Sequence, residues 1–321
     1  MKQFLLFLIC VLGLQAHAQQ FNDYFEDATL RIDYTFAGNV HEQHVTLDKL
    51  NRLPRWYGKR QRLTQVPVEG YGQVIVRHHA SGKEIYRQSF STLFQEWLSY
   101  DEAQHTSRSF ENVFLVPMPK DTADITLELY NNRRTIMTTF THQVSPKDIL
   151  IRRIGEQHRT PFVQLLAPKD TSRCIHIAFI AEGYQPSEMS TFIADATLSM
   201  DAIFAHEPFK SLKDRFSIVA VQAPSVDSGT SIPSKGIWKR TALSSHFDTF
   251  YSERYLTTLN LKDLHDQLAG IPYEHIIVLV NTPHYGGGGI LNSYNLSMAH
   301  HRLTRPVVVH EFGHSFAGLA D

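Results

Sequence analysis

Disulfide chemistry has almost nothing to work with in this chain. Two cysteines occur in 321 residues, Cys10 and Cys174, and Cys10 lies in an apolar N-terminal run. Without that run one thiol remains, so no intrachain disulfide forms and the fold must hold by burial. An excess of one charge is missing too. Thirty-one Lys and Arg meet 32 Asp and Glu, which excludes nucleic acid or a membrane surface as a partner chosen by bulk charge. The apolar run from Phe4 to Leu14 is eleven residues, too short to span a bilayer of about 20 helical residues. There is no internal repeat and no low-complexity tract. What is present is globular: 42% hydrophobic and 11% aromatic residues, enough for one or two cores.

The N-terminal stretch "MKQFLLFLICVLGLQAHAQQ" has Lys2, the apolar run and the small-x-small triplet Ala16-His17-Ala18. That is the layout of a secretory signal peptide, residues 1–18, cleaved after Ala18. Cys10 follows the bulky Ile9, which argues against a lipoprotein. The protein is expected to be exported: secreted, periplasmic or on the cell surface. Cys174, at the head of an apolar run, reads as a buried packing residue rather than a nucleophile.

From residue 19 to about 145, strand-like runs follow one another: 29–36, 71–79, 84–94, 109–119, 124–132 and 135–144. They alternate by twos, are separated by turn formers and have little helical pattern between them, which predicts an antiparallel β-sandwich. From 146 to 321 the texture changes. "HIAFIAEGY", a helix opening near Pro186, "RFSIVAVQAP", a helix from about Leu256 to Leu268, "HIIVLVN" and a last helix predict an α/β domain with a partly parallel sheet.

The chemistry sits in "TRPVVVHEFGHSFAGLAD". Pro306 suits a first helical turn and Thr304 a cap. His310 and His314 are one turn apart, so their imidazoles face one ion, and zinc favours such nitrogen ligands. Glu311, one residue round, can take a proton from a zinc-bound water and deliver it to a leaving amine. Gly313 permits close packing, and Gly318 suits a left-handed turn after the helix. In metzincin-type sites the third ligand comes three residues after such a glycine. Asp321 holds that place here and is the expected third ligand, the alternative being a solvated Asp321 with the ligand further along the chain. Upstream, Gly286, Gly287, Gly288 and Gly289 follow a strand. They read either as clearance and N–H groups beside an extended substrate or as a flexible hairpin turn. No Lys-Ser/Thr follows them, so they do not cradle phosphate.

Together "HEFGHSFAGLAD", "YGGGGI", "GIWKRTALSSHFDTFYSERYL", "IAFIAEGYQPSEMSTFIADA" and "YFEDATLRIDYTFAGN" resemble the IgA-peptidase family of secreted bacterial zinc metallopeptidases. The resemblance runs from about Phe21 to Asp321. It implies an N-terminal β-sandwich before a zincin-like, metzincin-like α/β catalytic domain, with one Zn2+ per chain. It also implies endopeptidase activity on protein or peptide substrates, immunoglobulin A among them for some members. His310 and His314 match the family's zinc ligands, Glu311 its acid/base and Asp321 the motif's Asp. Members continue past that Asp with "EY", so the chain reads as C-terminally truncated. Two other functions are consistent with the residues. One is an exported host-protein or glycan-binding protein with a structural or inactive metal site; the other is an amidase or deacetylase on small amides.

Overall fold

The computed structural model describes residues 20–168, 170 and 173–320. The expected signal segment 1–18 and Asp321 lie outside them. A short helix α1 (Phe21–Tyr24) leads into β1 (Phe25–Gly38) and β2 (Gln43–Leu53). Then come β3 (Gly72–His78), β4 (Glu84–Phe90), α2 (Leu93–Trp97), β5 (Arg108–Pro119), β6 (Ala123–Tyr130) and β7 (Ile136–Val144). The strand expected over 84–94 stops at Phe90. There Thr92 Oγ1 accepts a hydrogen bond from Gln95 N at 3.2 Å and caps α2, the local signal that redirects the chain from extended to helical.

These strands and β8 (Arg152–Arg153) make two four-stranded sheets, β5-β1-β2-β8 and β4-β3-β6-β7. Pairing is antiparallel except for β8, which runs parallel to β2. The boundary expected at residue 145 falls between β7 and β8.

A third sheet of six strands follows: β9 (Phe162–Leu166), β10 (Ile175–Glu182), β11 (Phe216–Val221), β12 (His275–Val280), β13 (Gly287–Ile290) and β14 (Tyr294–Met298). Its order is β13-β14-β12-β10-β11-β9. The four inner strands run parallel, and antiparallel β13 and β9 close the edges. The parallel strands are apolar along their length because both faces are covered. Ile177, Phe179, Ile277 and Leu279 pack with α3 (Met189–Phe204) and with α5 (Thr304–Ala317). Ala178, Ile180, Val278 and Val280 face the other way and join a core continuous with the interior of the two N-terminal sheets.

Helix α4 (Leu261–Gln267) lies against β5. It begins five residues later than the sequence pattern predicts, because Tyr255 bridges to Gly287 of β13 and Thr257 to His246. Among the described residues, three sheets and few helices therefore make a β-rich architecture in which two β layers brace a mixed sheet. Among the described residues no helix is long and apolar enough to cross a membrane.

Candidate metal centre

Helix α5 follows Leu303, and Thr304 does not cap it as the sequence predicts. Its Oγ1 lies 3.0 Å from the Ala299 carbonyl and 2.6 Å from that of His301, so the hydroxyl donates back into the preceding loop. Pro306 sits in the first turn, where its missing N–H is harmless. Val307, Val308 and Phe312 bury one stripe of the helix, and Ser315 Oγ accepts from Asn295 Nδ2 of β14 at 2.7 Å. That seating leaves His310 exposed and His314 half-buried.

Their Nε2 atoms are 3.0 Å apart, with the rings at 85° to each other. Two nitrogens at about 2.0–2.1 Å from one tetrahedral ion lie about 3.3 Å apart, so the pair needs only a small adjustment to share a metal. His314 Nδ1 lies 2.5 Å from the Leu319 carbonyl oxygen. A carbonyl only accepts, so Nδ1 carries the proton, and Nε2, which faces His310 Nε2, is the nitrogen that can ligate a metal. Glu311 is buried beside them, and ligand atoms of His310, Glu311 and His314 fall within 4.8 Å of one another. The group can hold a metal ion. The expected third ligand, Asp321, lies outside the described residues.

Strand β13 and its leading glycine supply the surface opposite Glu311, and each of the four glycines is held to that identity by contact. A Cβ on Gly287 would meet Glu311 Oε1 at 2.5 Å, and one on Gly289 would meet the Glu311 carbonyl at 2.6 Å and His314 Cβ at 2.9 Å. Gly286 and Gly288 face the other way, where a Cβ would strike the carbonyls of Arg254 (2.4 Å) and Leu256 (2.7 Å) and, at Gly288, the Tyr255 ring (2.7 Å). The room the glycines make is filled by the chain itself. At Gly287 the outward backbone pair is engaged too: its N–H donates to Arg254 O (3.2 Å) and its carbonyl accepts from Leu256 N (3.1 Å).

Two family profiles match the chain, the Peptidase M64 N-terminus over residues 20–141 and the IgA Peptidase M64 over residues 163–321. The chain belongs to the IgA peptidase M64 family. No curated protein matches it. Membership makes it a peptidase, acting on protein or peptide.

Parts of this M64 site come from residues that sequence reasoning missed. Tyr255, whose ring covers Gly288, donates its hydroxyl to Glu96 Oε2 of α2 at 2.5 Å. Burial pushes the Glu96 carboxyl up, and the Tyr255 hydrogen bond and nearby His314 pull it back. Ser91 N donates to Leu291 O at 3.1 Å, and Asn292 Nδ2 to Ser89 O at 2.9 Å. The N-terminal β layers thus grip the hairpin of β13 and β14. Glu182, wholly buried at the end of β10, accepts from Thr241 Oγ1 (2.5 Å), Leu243 N and Ser245 N (both 2.8 Å). Its carboxyl is raised by burial, and it anchors the loop that leads to Tyr255.

Gly318 takes the expected left-handed conformation, φ 64°, with its N–H on His314 O at 3.0 Å. A Cβ there would meet Val68 of the N-terminal region at 2.8 Å. Gly313 is approached by Leu319 of the chain's own return, at 3.3 Å, rather than by another element. Cys174 is not in the core: it is half-buried, with Sγ 3.5 Å from His176 Nε2. Burial and the Glu274 carboxylate push its thiol up, the wrong direction for a nucleophile.

Proposed function

We propose that this M64 chain is a zinc-dependent endopeptidase of zincin-like, metzincin-like architecture that hydrolyses peptide bonds in extended segments of proteins. Immunoglobulin A enters as a substrate only through the family. The observation that carries the reading is the convergence of His310 and His314 Nε2, 3.0 Å apart, with a buried carboxylate between them and a glycine strand. Asp321 is proposed as the third ligand on its spacing from Gly318.

When bound, a zinc ion supplies a Lewis acid for the scissile carbonyl and lowers the pKa of a coordinated water. The remaining work belongs to the chain. His310 and His314 hold the ion through Nε2. Glu311 removes a proton from the attacking water as its oxygen bonds to the carbonyl carbon. It then delivers that proton to the amide nitrogen as the C–N bond breaks and the amine leaves. Contact with Gly287 fixes the carboxylate for both transfers.

The test is Glu311→Gln. Stoichiometric zinc is retained, and hydrolysis of casein falls by about 10²–10⁴-fold, the usual contribution of a general acid/base; full activity sinks the mechanism. Export is proposed from the Lys2 and Ala16-His17-Ala18 layout. N-terminal sequencing of the mature protein checks it, with Gln19 expected as the first residue.

A further inference from the structure

The metal centre does not open onto the peptidase domain alone. His314, Gly289 and Leu291 line one end of a cleft of about 810 Å³ whose other wall is Tyr71, Leu98 and Met137 of the N-terminal β domain. That volume lies within the roughly 300–1,000 Å³ of ligand sites. We propose that this cleft is the substrate channel, and that Tyr71 and Met137 form a subsite for an apolar side chain of the polypeptide, at a distance from the scissile bond. The substrate class rests on the peptidase reading above.

Three observations carry the inference. The first is what the lining has left to offer. Gln95 Nε2 is spent on Tyr71 O (2.5 Å) and Tyr130 O (3.4 Å), while its Oε1 accepts from Thr92 Oγ1 (3.0 Å). Arg134 is held by the Gly70 carbonyl and by Glu69, and Asn131 Oδ1 by the N–H groups of Arg133 and Thr135. These polar groups fix the wall. Asn131 Nδ2 donates to the Met137 sulfur (3.4 Å), which leaves the Met137 methyl and methylene groups and the Tyr71 ring, each residue 48% exposed, as apolar surface that selects apolar partners.

The second observation is rigidity. The wall is joined to the metal-side hairpin by the Ser91–Leu291 and Ser89–Asn292 hydrogen bonds, and to the segment bonded to Gly287 by Glu96–Tyr255. Subsite and metal centre are therefore held at a fixed separation, and a bound chain spends little ordering them. The third is backbone direction. Gly289, two residues beyond Gly287, turns its N–H and carbonyl the same way as Gly287 does, and it lines the cleft. An extended chain entering there adds to the sheet edge by strand pairing and continues towards Tyr71.

The experiment compares fluorescein-labelled, reduced and carboxymethylated casein with a mixed tetrapeptide library, whose members span at most about 14 Å. In zinc-loaded protein, Tyr71→Ala and Met137→Ala are expected to lower the casein-to-tetrapeptide ratio of kcat/KM about tenfold, chiefly through KM, the low end of what an apolar pocket contact provides. In the Glu311→Gln background the same changes raise the Kd for labelled casein by a like factor, and Tyr71→Phe restores it. An unchanged ratio together with an unchanged Kd overturns the subsite, as does an equal loss on both substrates. Casein that binds through Tyr71 and Met137 without being cleaved by zinc-loaded wild type upholds the cleft and overturns the peptidase mechanism.

Discussion

Gly287 and Glu311 are in contact so close that a single methyl group does not fit between them: a Cβ on the glycine would stand 2.5 Å from Glu311 Oε1 and 2.8 Å from its Cδ. Gly287→Ala therefore pushes the carboxylate out of place without touching either histidine. A shift of about 1 Å in a catalytic group costs about 10²-fold. The expected result is a drop of that order in kcat on casein with zinc content unchanged, measured by steady-state kinetics and metal analysis.

Glu96 and Tyr255 form the second relationship with a measurable outcome. Tyr255→Phe removes the donor from the half-buried carboxyl of Glu96 in α2, leaving an acceptor less satisfied, which costs about 1 kcal/mol. Urea denaturation should show a lower midpoint with an unchanged slope. The companion Glu96→Gln keeps an acceptor for the tyrosine and should lose much less stability than Tyr255→Phe.

Arg31 is 1% exposed and its partner Asp33 2%, with Nε 2.7 Å from Oδ1. The guanidinium also reaches Asp266 of α4 at 2.5 Å and the Lys262 carbonyl at 3.1 Å. Arg31→Met strands the Asp33 charge in the interior, a change that costs about 3–5 kcal/mol. The double variant Arg31→Met, Asp33→Leu removes both charges and is expected to be nearer wild type than the single variant. Chemical denaturation of the set gives the coupling.

His275 supplies a pH dependence. Its ring packs on Phe316 of α5, centroids 4.7 Å apart, and burial lowers its pKa from 6.5 to about 4. In the unfolded chain the imidazole takes up a proton as pH falls through about 6.5, while in the folded chain it stays neutral down to about 4. The unfolded state then binds more protons, so stability falls as the pH falls from about 6.5 to about 4. His275→Phe should flatten the decline in melting temperature between pH 7 and pH 5 relative to wild type; an identical slope would show that His275 does not contribute.

The metal pair was legible because its geometry is local. A spacing of four residues on a helix is enough to bring His310 and His314 together, and Gly318 announces its own turn. Strands were legible where one face is apolar, as in 29–36 and 109–119, and parallel strands where an apolar run is unbroken. The glycine segment was legible as a place of close approach, but not what approaches. Glu96 meets Tyr255 across 159 residues and Arg31 meets Asp266 across 235; no period or spacing encodes such pairs. β2, with much of its length exposed, carries too little alternation to stand out. At 84–94 a single hydroxyl cap outweighed strand-like composition.

The strap from Arg254 to Leu256 over Gly287 has a meaning beyond the active centre. A sheet whose inner strands are apolar on both faces, ending in a run of glycines without charge or proline, presents an edge on which another copy of the chain can assemble. Two backbone hydrogen bonds from the strap close that edge at Gly287, and the Ser91 bond closes it again at Leu291. The opening between them spans a single residue, Gly289. A passing strand has too little to hold, whereas a segment also gripped at its far end has enough, so the same closure that protects the protein from itself sets how much of a polypeptide must be engaged.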